Sequence, residues 1–309
     1  MIVLITGARG AIGRHVAAEA KRRGARVIGL GHGAWSGDPD LPAIDRWVNG
    51  DVTSDNLDTL AELSVPPDLI VHLAGGSHVG ASIDHPAEDF RRTVVGAQQL
   101  VEWMRTRSPA ARLVVASSAA VYGNAAASPI PEGSPFAPTS PYGTHKAMVE
   151  MLAVAYARQY GINAAIVRLF SVYGPGLRKQ VVFELFQRLL KGERLLQLGG
   201  TGRESRDFVF VSDAARLLLD AGALANQEVP VFNGSTGVSV TVDQLARAMA
   251  ELFADVQITF SGEVRKGDPS SLVGDQTRAQ AAGLITETSL DAGLRQTFEW
   301  ISAQPEFCR

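Results

Sequence analysis

The chain has 309 residues with 29 basic and 32 acidic side chains, a net charge of -3 and a pI near 6.1. This length suits one large α/β unit or two closely joined domains with a sizeable core, and the balanced charge leaves no basic field for nucleic acid. The single cysteine, Cys308, reads as a frayed tail and excludes an internal disulfide framework. With Met1 entering a strand directly and no apolar run of about 18 residues, the expectation is a cytoplasmic protein with neither secretory leader nor membrane span.

The chain opens on an apolar strand and a glycine turn, Leu4-Ile5-Thr6-Gly7-Ala8-Arg9-Gly10-Ala11-Ile12-Gly13, followed by a helix over 12–23 that stops at Gly24. Gly7, Gly10 and Gly13 let the backbone turn tightly, admit a pyrophosphate and allow the helix to pack on the strand. The helix N-terminus then offers free N–H groups to the anion, and Gly10, Ala11 and Ile12 are expected among the cofactor-binding residues. The G-x-x-G-x-x-G spacing points toward short-chain dehydrogenase/reductase enzymes rather than the commoner G-x-G-x-x-G dinucleotide fingerprint.

A second strand over 26–30 completes a βαβ unit and ends in Leu30-Gly31-His32-Gly33, without the carboxylate that holds ribose hydroxyls in many dinucleotide sites. A 2′-phosphate meets no repulsion there, and Arg9 with His32 could supply it positive charge, so NADP is favoured over NAD. A loop over 34–43 and a strand over 44–48 lead to Asp51-Val52, which either contacts and covers the adenine or caps the helix over 56–63. The strand over 69–73 ends in Leu73-Ala74-Gly75, small residues suited to a cofactor lying on the backbone. His72 reads as a core histidine, and His78 and His85 lack metal-ligand partners at useful spacing.

A long helix is expected over 87–107, then a strand over 113–116 ending in Ser117-Ser118. The Ala-, Gly-, Ser- and Pro-rich segment 119–138 reads as a loop near the site, with room to move. Pro141 opens a helix over 141–160 that carries Tyr142 and Lys146, spaced i and i+4 on one face. After a strand over 164–169 the elements shorten: helices over 181–191, 213–223, 242–253 and 290–302, with strands over 206–211, 229–232 and 257–260. This second half reads as a substrate-binding portion.

Ser118, Tyr142 and Lys146 carry the sharpest chemical signal. A free tyrosine ionises near pH 10, but a neighbouring ammonium and an oxidised nicotinamide both favour phenolate. Tyr142 would exchange a proton with a substrate hydroxyl while hydride leaves or reaches the same carbon, and Ser118 would hold the substrate oxygen.

The segments Thr6-Gly-Ala-Arg-Gly-Ala-Ile-Gly13, His72-Leu-Ala74, Ser117-Ser-Ala-Ala-Val-Tyr-Gly123, Pro141-Tyr-Gly-Thr-His-Lys146, Arg168-Leu-Phe-Ser-Val-Tyr-Gly-Pro-Gly176 and Arg206-Asp-Phe-Val-Phe-Val-Ser-Asp213 resemble, in order, the extended short-chain dehydrogenase/reductases that modify nucleotide sugars. The resemblance implies an α/β Rossmann-type doubly wound parallel sheet over 1–170. It also implies a smaller portion over 171–309 that binds the nucleotide sugar, some segments returning to the sheet. Ser118, Tyr142 and Lys146 are then the catalytic set, with Ser117 beside them. Ser171 replaces an Asn in the substrate site, and Arg206 and Arg265 contact the diphosphate. A homodimer through the two long helices is implied too.

Departures narrow the chemistry. Ala119-Ala120 stand where dehydratases of the family place Asp-Glu, Thr93 replaces an Asn, and His145 stands where a small Ser is usual, either reaching the sugar or standing by. The expected activity is an NAD(P)-dependent C4 epimerase acting through a 4-keto sugar. An NADPH-dependent reductase of a 4-keto-6-deoxy nucleotide sugar and a non-catalytic NAD(P) sensor are the alternatives.

Overall fold

The apolar runs of the amino half assemble, in a computed structural model of the chain, into one parallel sheet. The structure describes residues 1–35, 44–63, 66–263 and 269–307; the expected loop over 34–43 and Cys308 lie largely or wholly outside them. Strands β1 (Ile2–Thr6), β2 (Arg26–Gly31), β3 (Arg46–Asn49), β4 (Leu69–His72), β5 (Arg112–Ser118) and β6 (Asn163–Leu169) alternate with helices. The helices are α1 (Ala11–Arg22), α2 (Ser54–Leu63), α3 (Val79–Asp84), α4 (Pro86–Phe90), α5 (Gly96–Arg107) and α6 (Pro141–Tyr160). The carboxyl half continues as β7 (Ser171–Tyr173), α7 (Gln180–Leu190), β8 (Leu195–Leu198), β9 (Ser205–Arg206), β10 (Phe208–Phe210), α8 (Val211–Leu224) and β11 (Val231–Gly234). It ends with β12 (Val240–Thr241), α9 (Val242–Ala250), β13 (Gln257–Phe260), β14 (Ser271–Leu272), α10 (Thr277–Ala281) and α11 (Leu290–Ser302).

The sheet order is β11-β6-β5-β4-β1-β2-β3, with every neighbouring pair parallel. Thr6 pairs with Leu30 on one side and His72 on the other, so β1, β2 and β4 end level. The chain turns from one side of β1 to the other at that edge, which opens a crevice at the carboxyl ends of β1 and β4. Alternation along the strands fills both faces: Val3, Ile5 and Val71 pack with Val16 of α1 and Leu218 of α8, while Leu4, Ile28 and Ile70 pack with Leu57, Leu100 and Met104. A third apolar cluster, with Phe186, Phe208 and Met249, lies wholly in the carboxyl half.

Local signals explain the helix that carries the phenol. Ser140 Oγ accepts from the Gly143 N–H at 3.2 Å, Pro141 occupies the first turn, and Gly161 closes the helix in the left-handed region at φ 74°. The helix expected over 87–107 is instead built in pieces. It starts at Pro86, passes through a π turn over Arg91–Val95, and is preceded by α3, which no pattern in the sequence announced. The π turn's extra residue lets Asp89 and Thr93 face the β4–α3 loop while Leu100 and Met104 face the core.

The segment over 119–138 is tied down rather than loose. A 3₁₀ turn over Ala119–Tyr122 buries Tyr122, Ile130 N–H bonds Val273 O at 2.8 Å, and Arg168 donates to Tyr122 Oη and Glu132 O, each at 2.9 Å. The strand expected over 206–211 breaks at Asp207, whose buried carboxylate accepts from the N–H groups of Thr236, Gly237 and Gly274.

Candidate active site

A cavity of about 690 Å³ opens at the carboxyl ends of β1 and β4. The turn residues Gly7, Arg9, Gly10, Ala11, Ile12 and Gly13 form its floor, and Leu73, Ala74 and Gly75 form one side. The turn is shaped by close approach: Gly7 has φ +72°, and a Cβ there would lie 2.9 Å from Ala74 N. At Gly13 a Cβ would come within 2.2 Å of Gly7 O. A cradle that only glycine backbone can form, opening onto a helix start, fits a dinucleotide pyrophosphate. His72, behind it, is buried, hydrogen-bonded to Thr6 Oγ1 at 2.7 Å, and pushed down to about 3 by burial and by the charge of Lys146.

Asp51 and Val52 line this cavity, and Asp51 does not cap the following helix. Its carboxylate lies 2.8 Å from His32 Nε2 and accepts from Arg91 Nη1 at 2.8 Å, while Thr53 Oγ1 takes the N–H of Asn56 at the start of α2. The Arg91 hydrogen bond above all, with a smaller pull from His32, holds the Asp51 carboxyl below its usual range against the upward push of burial. His32 therefore faces a carboxylate, a correction to the expectation that it stands ready for a phosphate. Arg9 lies across the end of β2, where a Cβ on Gly33 would sit 2.9 Å from its Nη1. His32 lines the cavity as well.

Ser117, Ser118, Tyr142, Lys146 and Ser171 line the same cavity, so residues far apart along the chain converge. Ser118 Oγ accepts from the Ala120 N–H at 3.2 Å and is hydrogen-bonded to Tyr142, whose own N–H bonds Ser82 Oγ at 3.1 Å. Lys146 Nζ donates to Ala116 O at 3.0 Å and lies 5.9 Å from the centre of the Tyr142 ring. Burial pushes the Tyr142 phenol up, the Ser118 hydrogen bond pulls it down, and Asp89 adds to the upward push. The ordering differs from the sequence expectation, since burial outweighs any help from the lysine. Burial also pushes Lys146 down to about 8, against the pull of Asp89 and Glu150. Ser117 Oγ donates to Glu150, which Arg168 also grips.

His145 neither reaches the cavity nor stands by. It is buried, its Nδ1 lies 2.5 Å from Asp89 Oδ2, and Phe90 meets its ring edge-on at 5.4 Å. Thr93 Oγ1 accepts the Gly76 N–H at 2.7 Å, which gives it a structural task in the β4–α3 loop. His78 Nδ1 accepts from Ala81 N–H, capping α3. No cluster of metal-ligating side chains occurs among the described residues.

A second cavity, of about 720 Å³, shares Ser171 and Gln180 with the first and holds Arg206, Arg203, Arg188 and Phe208. Arg206 is anchored by hydrogen bonds to Ser205 O and Pro269 O at 2.8 and 2.9 Å. Arg265 lies outside the described residues. Lys179 and Gln180 join the site without any signal in the sequence. Lys179 Nζ reaches across to Ser77 O at 2.6 Å, and Gln180, at φ 69°, stands in the wall between the two cavities. They belong to no motif, and only the fold brings them there.

Residues 3–233 match the model of the NAD dependent epimerase/dehydratase family. The chain belongs to this family. A putative UDP-glucose 4-epimerase of Methanocaldococcus jannaschii is 28% identical over 97% of this chain and 98% of its own length. Among solved structures, a UDP-glucose 4-epimerase with UDP-glucose from Thermotoga maritima superposes with a TM-score of 0.89 at 30% identity, covering 98% of this chain and 99% of that one. MoeE5 in complex with UDP-glucuronic acid and NAD gives 0.86 at 32% identity, covering 97% and 98%. Membership in the epimerase/dehydratase family makes the chain an NAD(P)-dependent enzyme of the extended short-chain dehydrogenase/reductase type. The expected epimerase activity agrees with these relatives, and the reductase alternative finds no stronger support among them. The resemblance implies an acid–base pair after the serine in the family's dehydratases. Here Ala120 puts a methyl group into the cavity wall beside Ser118. Among the described residues no helix is long and apolar enough to cross a membrane.

Proposed function

We propose that the chain is a UDP-sugar 4-epimerase that prefers NADP to NAD. The observation that carries this reading is the pair of cavities joined at Ser171 and Gln180, one holding the glycine cradle with Ser118, Tyr142 and Lys146, the other holding Arg206. A ligand with two chemically different ends fits such a space: a sugar against the phenol, and a nucleoside diphosphate against the arginines. Uridine as the nucleoside is supported by the relatives above, which are named for UDP-sugars or solved with them.

Gly7, Gly10 and Gly13 would hold the pyrophosphate of the cofactor, and Ala74 and Gly75 would flank the dinucleotide. When bound, the nicotinamide supplies reversible hydride acceptance at C4 of the sugar. Tyr142 takes the proton of the C4 hydroxyl and later returns it, while Ser118 holds the same oxygen so that the phenol meets it in one orientation. Lys146, fixed by Ala116 O, keeps a positive charge within reach of the phenolate that forms. Arg206 grips the diphosphate, which leaves the sugar free to turn and present its other face. Arg265 is given the same role on the strength of its motif alone.

NADP preference rests on Arg9 lying over the end of β2, where Gly31, His32 and Gly33 offer no carboxylate of their own, and on the neutralisation of Asp51 by Arg91. Cytoplasmic residence and a homodimer complete the proposal. The dimer is supported by exposed apolar side chains on the helix layer: Phe90 and Val95 at 39% and Met151 on α6 at 53% exposure.

The test is incubation of the purified chain with UDP-glucose, UDP-glucuronate and 4-keto-6-deoxy UDP-sugars in NADP⁺ or NADPH. Inverted C4 without net change in NADPH absorbance is expected. Stoichiometric NADPH loss would replace the epimerase by the reductase.

A further inference from the structure

Asp89 and His145 are two buried titratable groups that the mechanism above leaves without a task, and His145 stands three residues, about one helical turn, after Tyr142 on α6. They come from different elements, α4 and α6, and meet at 2.5 Å with both side chains at or below 10% exposure. Their place is close behind the cavity wall. A Cβ added to Gly76, which lines the cavity, would come within 1.7 Å of Asp89 Oδ1, so only glycine lets the loop lie on this carboxylate. Thr93, one turn further along, holds the same glycine through its N–H.

Resting on the reading of Tyr142 as the proton-transfer group, we propose that Asp89 and His145 form a positioning pair that governs when Tyr142 gives up its proton. An ionised carboxylate behind a buried phenol disfavours a second negative charge there, whereas one held by an imidazole opposes it less. The electrostatics follow that geometry, with Asp89 pushing Tyr142 up and also pulling Lys146 up. Other charged groups surround the pair. On its own helix run, Glu88 pairs outward with Arg91 and Arg92. From the elements packed against it come Tyr142 and Lys146 on α6. Glu150 on α6, His72 on β4 and Lys179 before α7 couple to the centre through Lys146.

The pair acts through Tyr142 and touches no reacting atom, so the test reads the phenol directly. In the full chain, tyrosinate absorbance is titrated as the difference between each background and the same background with Tyr142→Phe. His145→Ala, which leaves the carboxylate without its partner, should move Tyr142 ionisation to higher pH; Asp89→Asn should move it to lower pH. With Asp89→Asn already present, His145→Ala should have no further effect. His145→Asn, whose amide can stand near Nδ1 and donate, should restore the titration. With UDP-glucose as probe, His145→Ala should lower kcat at neutral pH by about tenfold with KM unchanged within about twofold. A His145→Ala titration equal to that of the parent, or an equal shift with and without Asp89, would overturn the pair. If His145→Ala does not fold, an unmoved titration in Asp89→Asn decides against it. The titration needs no substrate, so a chain inert on every UDP-sugar would sink the epimerase reading and leave the positioning pair standing.

Discussion

At the scale of single residues, Tyr142 is where the proposed chemistry concentrates. Tyr142→Phe should lower turnover by a factor on the order of 10² or more while NADPH still binds, checked by steady-state rates beside cofactor fluorescence. His72 gives a pH effect whose sign follows from its burial. Its folded value is held at about 3 against an ordinary 6.5. Between those values the unfolded chain takes up a proton that the folded one refuses, so stability falls as pH drops below about 6.5. Urea midpoints at pH 7 and pH 4.5 should differ, and His72→Gln should flatten the difference. Legibility at this scale followed sequence distance. Tyr142 and Lys146 sit one helical turn apart, and Ser118 ends an apolar strand, so short patterns reveal all three. Asp89 and His145 are 56 residues apart, and neither has a neighbour that hints at the other. The arrangement of charges around Asp51 escaped for the same reason, because Arg91 reaches it from 40 residues away.

At the scale of elements, the first turn and α1 depend on contact between backbones. Gly13→Ala would press a methyl group against Gly7 O at 2.2 Å and Ala8 Cα at 2.7 Å, none of it movable without opening the turn. An overpacking cost of about 1–3 kcal/mol falls on the cradle itself, so NADPH affinity should weaken by about tenfold or more by calorimetry. The elements that the sequence displays best are those with local stop and start signals. Helix α6 runs Pro141–Tyr160 as expected between Ser140 and Gly161, and α11 runs Leu290–Ser302 behind its Ser289 cap. Strand β13, Gln257–Phe260, also matches. The pairs Ser205–Arg206, Val240–Thr241 and Ser271–Leu272 form a small sheet by meeting one another, and two residues leave no period to read. The π turn at Arg91–Val95 was hidden because its side chains continue a plausible α-helical pattern.

At the scale of the whole molecule, the proposed dimer predicts that Met151→Glu, in the middle of an exposed α6 face, yields monomers in analytical ultracentrifugation while leaving the fold's circular dichroism unchanged. The general architecture was readable because a parallel sheet announces itself through repeated apolar runs split by amphipathic helices. The carboxyl half was readable mainly as a departure from that rhythm, since its strands are short and its core is completed by helices α7, α9 and α11.

The last strand of the main sheet, β11, arrives from Val231–Gly234, well after the chain has left to build β7 through β10. During synthesis, therefore, β6 must wait on the ribosome with one flank unmatched until residue 234 has emerged, and α1 must wait for the cover that α8 provides. A nascent chain interrupted near residue 170 carries an open hydrogen-bonding border and a bare oily patch together, a combination prone to clumping. Expression of a fragment ending there should give insoluble protein, whereas one extended through residue 234 closes that border.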